Sequence, residues 1–321
     1  MKRPIRSIAI VIPIYNEAAA LPDLFAAIER LKDALGDCAP HVYFVDDHSS
    51  DNSPALLHEA CERVDWFSFL RLSRRSGPHV AIVAGLAHCT EDCAAFIAAD
   101  LQDPPELLPM MADLCRAGHD VVWATWSTTQ NRSLVEEAAS KLFHEIMRKI
   151  SETGQIPYRA SFALLSRRSY RNLLLGCGQR PSLIVEIPRL GYNVATLTFD
   201  KPQRRKGRSK WSVSRKILAF ADALVASSYL PIRVMSYVGV ATSFIGFLGA
   251  VVVIALRLSD IVKVEGWTSL MVLVLVFSGL QMLMLGILGE YLWRTQQDVG
   301  KRTLYLIEDQ AGLPDRPDEA K

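Results

Sequence analysis

Two long stretches of this chain carry no charged residue: Val234 to Leu256 and Trp267 to Gly289, about 23 residues each. As helices they would each reach roughly 35 Å, enough to span the hydrocarbon of a bilayer with some tilt. The competing arrangement is a helical hairpin buried inside a globular domain. The connector between the stretches holds Arg257, Asp260, Lys263 and Glu265. The outer flanks hold Arg215, Lys216 and Arg233 on one side and Arg294, Lys301 and Arg302 on the other. The positive-inside bias then keeps both termini cytoplasmic and leaves a short external loop at Arg257 to Gly266. Three parts are expected: a domain over 1–230, two transmembrane helices within 231–293 (about 234–256 and 267–289), and a cytoplasmic tail over 294–321. From Asp309 the tail reads as polar and disordered.

Half of the 321 residues are hydrophobic, and the excess is concentrated after Pro231. The mean hydropathy of +0.15 reflects that second part. The net charge of +2 argues against a nucleic-acid binder working by bulk charge. Six cysteines (Cys38, Cys61, Cys89, Cys93, Cys115, Cys177) show no C-x-x-C spacing and read as small hydrophobes in a reducing compartment. The opening MKRPIRSIAIVIPIYN is charged and then apolar, but its apolar run is short and meets Pro13 and Asn16. It reads as a buried strand rather than a signal peptide.

Before residue 231 strands and helices alternate. Strands are expected at Ser7–Ile12, His41–Val45, Trp66–Leu72, Ala94–Ala99 and Val121–Ala124. Between them, Leu21–Leu35 and Val80–His88 have helical spacing. Ser53-Pro54 supplies an N-cap and a first-turn proline. Asp103-Pro-Pro-Glu106 reads as a capping box opening another helix. Ser133–Ile150 reads as an amphipathic helix, and Ser161–Leu165, Leu183–Leu190 and Val194–Phe199 as further strands. Ile217–Leu230 is an apolar-rich helix suited to the bilayer surface. The alternation predicts an α/β domain with a mostly parallel sheet and helices on both faces. Ligands bind such sheets at the carboxyl ends of the strands, where Asn16-Glu17, Asp46-Asp47 and Asp100 fall. Adjacent carboxylates such as Asp46 and Asp47 are costly to crowd unless a ligand or donor relieves them. For Asn16 and Asp51, capping of a loop or helix is the plainer role, and for Tyr15 packing under the sheet.

Four segments carry the chemistry: Pro13-Ile-Tyr-Asn-Glu17, Val45-Asp-Asp-His-Ser-Ser-Asp51, Ala99-Asp-Leu-Gln-Asp-Pro-Pro-Glu106 and Arg204-Arg-Lys-Gly-Arg-Ser-Lys-Trp211. Together they resemble family 2 glycosyltransferases that act on polyprenyl phosphate, such as bactoprenol glucosyltransferases and dolichyl-phosphate mannose synthases. Gly286-Ile-Leu-Gly-Glu-Tyr-Leu292, followed by Lys301-Arg302 and Leu304-Tyr305, resembles the membrane-hairpin exit of the bactoprenol subgroup. The resemblance runs over roughly residues 5 to 308 and implies a GT-A (Rossmann-like, nucleotide-binding) fold.

By that resemblance, Pro13, Tyr15, Asn16 and Glu17 line the nucleotide pocket, and Asp46 and Asp47 hydrogen-bond the base and ribose. The family's D-x-D metal motif stands here as Ala98-Ala99-Asp100, so a divalent magnesium or manganese ion is expected on Asp100 and Gln102, weakly held. The family's downstream Asp-Phe-Arg-Leu segment stands here as Ser161-Phe162-Ala163-Leu164, and an arginine usual after the fifth strand is replaced around Trp126. Asp103 fits helix capping better than metal binding. Arg204, Ser209 and Lys210 match an R-x-x-G-x-S-K pattern for the acceptor phosphate, with Asp100, Arg204 and Lys210 the groups that act on the reaction. Trp211 would anchor at the interface.

The implied reaction transfers a hexose from a UDP-type nucleotide sugar to undecaprenyl phosphate, with inversion, at the cytoplasmic face of the inner membrane. The product is a lipid-linked sugar for the cell envelope. A phosphate acceptor is already an anion near neutral pH and needs no strong general base. Two other readings stay open: a non-catalytic relative that binds nucleotide or lipid and assists a partner, and a hydroxyl-acceptor transferase that builds a polysaccharide. Glycines 239, 246, 249, 279, 286 and 289 would allow close helix packing within one chain or in a homo-oligomer.

Overall fold

The computed structural model describes residues 4–127, 160–178, 181–200, 230–258, 266–299 and 303–313. The chain divides into two compact units, one of residues 1–210 with 302–321 and one of residues 211–301. The expected amphipathic helix at 133–150, the surface helix at 217–230 except its last residue, and the basic segment 204–211 lie outside the described residues.

The first unit is built on one eight-stranded sheet. Its strands are β1 (Ser7–Ile14), β2 (Ala39–Asp46), β3 (Phe67–Leu72), β4 (Cys93–Phe96), β5 (Val121–Trp126), β6 (Ala160–Ser166), β7 (Val194–Phe199) and β8 (Ile307–Ala311). They lie in the order β7-β5-β6-β4-β1-β2-β3-β8. Strands β4, β1, β2 and β3 run parallel, which brings their carboxyl ends to one edge. The apolar run of β1, with Ile8, Ile10, Ile12 and Ile14 all fully buried, is what a strand covered on both faces requires.

The helices of this unit are α1 (Leu21–Ala34), α2 (Ser53–Arg63), α3 (Pro78–His88), α4 (Leu108–Arg116), α5 (Arg167–Gly176) and α6 (Leu183–Arg189). Helix α3 presses hardest on the sheet. A Cβ on Gly85 would overlap Val11 Cγ1 and stand 3.0 Å from Val45 Cγ2. Valine side chains are stiff at χ1 and sit here in a packed core. Gly85→Ala is therefore expected to cost about 1–3 kcal/mol, read as a lowered midpoint in a denaturant melt of the whole protein.

The structure differs from the sequence reading at five places. The sheet is mixed: β6 runs antiparallel to both β4 and β5, and β8 antiparallel to β3. Leu183–Leu190 is not a strand but the helix α6, whose first turn closes from Val185 and Glu186 N–H onto the Ser182 carbonyl. A run this short cannot be assigned by periodicity alone. Helix α2 does start at Ser53, but Ser53 does not cap it: its own N–H donates to Asp51 Oδ1 at 3.0 Å, and its hydroxyl accepts from the Glu17 amide at 3.1 Å. Asp103 caps no helix either. The chain passes through a 3-10 turn at Pro105–Leu107 before α4, and Asp103 turns inward. Finally, Asp309 does not begin a disordered tail, because 309–311 belong to β8.

The second unit contains two long helices, α7 (Leu230–Leu258) and α8 (Trp267–Val299). Many large apolar side chains on them face outward, among them Tyr237, Val240, Phe244, Phe247, Val276 and Met282. Taken over the described residues alone, no helix is long and apolar enough to cross a membrane. Read over the full sequence, each contains one of the uncharged stretches of about 23 residues. Gly239 is a point of close approach between the two helices, for a Cβ there would stand 3.1 Å from the Met284 methyl.

Candidate active site

The carboxyl edge of β4, β1 and β2 gathers Pro13 near the end of β1 and Tyr15, Asn16 and Glu17 after it, Asp46 and Asp47 at β2, and Asp100 and Gln102 after β4. The described residues hold three non-glycine residues with positive φ, and all three are here: Asn16 at 54°, His48 at 59° and Leu101 at 56°. For leucine in particular this left-handed conformation costs about 1–2 kcal/mol and persists only where the surroundings enforce it. Such strain collects at functional sites.

The two loops beyond β1 and β2 are laced together by side chains. Asn16 N–H donates to Ser49 Oγ at 2.9 Å, and Asn16 Oδ1 accepts from Ser50 N–H at 2.8 Å. Asp51 accepts from Ala18 N–H at 3.1 Å and from Ser53 N–H at 3.0 Å. Burial would raise the Asp51 pKa, but the bonds from Ser53 and Ala18 outweigh it and hold the carboxyl below its ordinary value. Asn16 and Asp51 thus build the loops, the plainer of the roles open to them.

Asp46 and Asp47 are both buried, yet their partners differ. Asp47 accepts from Ser76 N–H at 2.6 Å and Gly77 N–H at 2.8 Å, one on each oxygen, and so ties the β3–α3 loop to the site. Asp46 Oδ2 accepts from Ser49 N–H at 3.1 Å and lies 3.7 Å from Arg71 Nε. Asp46 Oδ1 is fully buried with no hydrogen-bond partner. Burial is the main cause that raises the Asp46 pKa, against the opposing pull of Ser49 and Arg71. An unpartnered carboxylate oxygen at a strand end is an acceptor waiting for a donor.

Tyr15 is half-buried, and the Arg75 guanidinium stacks on its ring 4.1 Å from the centroid. Asp100 is half-buried, and its Oδ1 accepts from Gln102 N–H at 3.1 Å across the strained Leu101, an Asx-type turn. Asp103 Oδ2 takes the Ala98 amide at 3.0 Å, and Oδ1 is hydrogen-bonded to Ser161 Oγ. Asp103 therefore fastens the Asp100 loop to β6 at the very two positions, 98 and 161, where the resemblance leads one to expect acids. No cluster of three or more His, Cys, Asp or Glu able to hold a metal occurs among the described residues. Asp100 and Gln102 offer only oxygen donors, a partial shell of the kind magnesium or manganese completes with water and phosphate oxygens.

Three residues near this edge carry no motif and were not foreseen: Arg71, Arg75 and Glu308. Arg71 had a signal, since it is the sole charge in the buried strand Phe67–Leu72 and pairs in register with Asp46. Arg204, Ser209 and Lys210 lie outside the described residues. A cavity of about 570 Å³ opens at the opposite, amino edge of the sheet, lined by Pro4, Asp92, Ser166 and Arg167 among others, and holds none of the candidate residues.

The model of the glycosyl transferase family 2 matches residues 9–174. The chain belongs to this family and is a glycosyltransferase. An undecaprenyl-phosphate 4-deoxy-4-formamido-L-arabinose transferase of Pseudomonas syringae pv. syringae is 34% identical over 312 residues, covering 95% of this chain and 91% of that one. An uncharacterized glycosyltransferase of Synechocystis sp. is 32% identical over 308 residues, covering 95% and 96%. Among solved structures, glucosyl-3-phosphoglycerate synthase from Mycobacterium tuberculosis in complex with uridine-diphosphate is 22% identical, with a TM-score of 0.48 over 67% of this chain and 78% of that one.

Proposed function

We propose that this glycosyltransferase moves a hexose from a UDP-type nucleotide sugar to undecaprenyl phosphate at the cytoplasmic face of the inner membrane. The observation that carries the acceptor is the 34% identity to an undecaprenyl-phosphate transferase across 95% of the chain, both long helices included. What supports the membrane reading is the pair of uncharged stretches and the outward apolar side chains of α7 and α8. Both termini then face the cytoplasm, where nucleotide sugars are made.

In this reading Asp46 Oδ1 accepts an N–H of the donor base, and Asp47 holds the β3–α3 loop while a free lone pair meets the ribose. Pro13, Tyr15, Asn16 and Glu17 form the wall of the nucleotide pocket. Arg75, stacked on Tyr15, adds a cation at the same edge. Asp100 and Gln102 would hold the divalent ion, which when bound neutralises charge on the leaving diphosphate. A lipid phosphate oxygen attacks the anomeric carbon from the face opposite the nucleotide, the bond to the diphosphate breaks, and configuration inverts. The nucleophile arrives deprotonated, so the work left to the chain is to position it and balance charge. Arg204, Ser209 and Lys210 take the acceptor phosphate.

A thermal-shift series of the full chain in detergent tests the donor half of this reading. UDP or UDP-glucose at about 100 times its Kd should raise stability by about 2.7 kcal/mol, seen as a higher Tm. GDP should do less. No shift with any nucleoside diphosphate, with or without manganese, would remove the nucleotide site.

A further inference from the structure

The C-terminal strand β8 does more than complete the sheet. Arg71 is paired with Asp309 and Leu72 with Ile307, which leaves Glu308 as the extra residue of a bulge. Bulges re-aim a side chain, and this one sends the Glu308 carboxylate toward the carboxyl edge. Glu308 Oε2 lies 3.1 Å from Arg71 Nε and 3.4 Å from His48 Nδ1. His48 is the left-handed residue of the turn after Asp46-Asp47, and its Nδ1 is also 3.1 Å from the Leu72 carbonyl. Arg71 thus stands between two carboxylates, with Asp46 Oδ2 at 3.7 Å, while its Nη2 donates to the Ser49 carbonyl at 3.4 Å. Its Nε makes a hydrogen bond to neither acid.

The strand is firmly seated. Ser73 N–H donates to the Leu306 carbonyl at 2.9 Å, and Ser68 Oγ–H to the Gly312 carbonyl at 2.6 Å. Gly312 closes the segment at φ 66°, where a Cβ would collide with the Phe67 carbonyl oxygen. Leu304, Tyr305, Ile307 and Leu313 pack against the core.

We infer that Glu308 is a positioning residue of the donor pocket: it draws the Arg71 guanidinium off Asp46, and so leaves the buried Asp46 Oδ1 unpaired, as the acceptor for the base of a nucleoside diphosphate. This rests on the reading that Asp46 faces the donor. An arginine beside a lone buried carboxylate closes onto it with two parallel N–H···O bonds. With Glu308 neutral, that pairing would fill the oxygen the donor needs. The pocket is then complete only when the segment that follows the long helices is docked on β3.

The test is UDP binding to the full chain in detergent, measured by titration calorimetry, for wild type, Glu308→Gln, Glu308→Asp, Arg71→Leu and the double variant Arg71→Leu/Glu308→Gln. Asp309→Asn, exposed on the same strand, is the control. Glu308→Gln should weaken UDP about three- to tenfold, Glu308→Asp should restore part of it, and the loss should vanish in the Arg71→Leu background. The KM for undecaprenyl phosphate should not move. Glu308→Gln binding UDP as wild type does would overturn the inference and leave the donor site standing. An equal loss with and without Arg71 would make Glu308 a fold residue only. Wild type that binds no UDP would instead sink the donor-site reading beneath it.

Discussion

Replacing Asp46 by alanine is expected to abolish donor binding and to cost the fold about 1–3 kcal/mol, because it strips the acceptor from the buried Ser49 amide, while Arg71 keeps Glu308. Asp46→Asn separates the two effects. The amide keeps an acceptor for Ser49 N–H, so Tm should stay within a few degrees, while UDP affinity falls about 10–100-fold with the loss of a charged acceptor. The pH dependence follows from the raised pKa of Asp46, caused first by its burial. A group raised in the folded state favours folding when protonated, so its contribution is present below its unfolded pKa and declines as pH rises through the folded one. In the role proposed for Asp46, donor binding needs the carboxylate and runs the other way. UDP affinity should fall on acidification at a higher pH than an ordinary aspartate would dictate, and Asp46→Asn should lose that dependence. Calorimetric Kd values for both proteins across mildly acidic to neutral pH read it directly.

Asp100→Asn should lower turnover by roughly 10²–10³ and remove metal-assisted donor binding, since Asp100 carries the charge at the end of β4. The reverse change is as informative. Asp103 Oδ2 already takes the Ala98 amide at 3.0 Å, so Ala98→Asp brings a second carboxylate beside it. Crowded carboxylates demand a cation or a proton. Ala98→Asp should therefore bind manganese more tightly than wild type and become more sensitive to chelator. Donor binding titrated with manganese distinguishes the three proteins. If wild type binds donor identically with chelator and with metal, and Asp100→Asn changes nothing, Asp100 is a strand-end carboxylate and the diphosphate is neutralised by basic residues.

The strand ends were legible because buried parallel strands write themselves as short apolar runs, and polar residues right after them have few purposes. Val194–Phe199 is found as read, and β1, β2 and β3 to within two residues. What the sequence hid was pairing at a distance. Nothing local in Ala160–Ser166 says that it enters antiparallel between β4 and β5. The D-x-x-E pattern at Asp103 looked like a cap because capping is a local device. Its actual partners, Ala98 and Ser161, include one that is 58 residues away. The same holds for β8. From Asp309 on the chain reads as a polar tail, and only the open edge of β3 makes 309–311 part of a strand. The apolar Leu304-Tyr-Leu-Ile307 before it was the signal available. The roles of Arg204, Ser209 and Lys210 rest on their motif.

The transfer itself is the most direct test. The full chain, purified in detergent and mixed with undecaprenyl phosphate, manganese and radiolabelled UDP-glucose, should release UDP and yield a labelled organic-soluble lipid. Mass spectrometry of that lipid should show one hexose on a monophosphate, and Asp46→Asn and Asp100→Asn should make little of it. Other labelled UDP-sugars run in parallel identify the preferred donor. UDP release with label on a water-soluble polymer, or no lipid product from any nucleotide sugar that binds, would contradict the account.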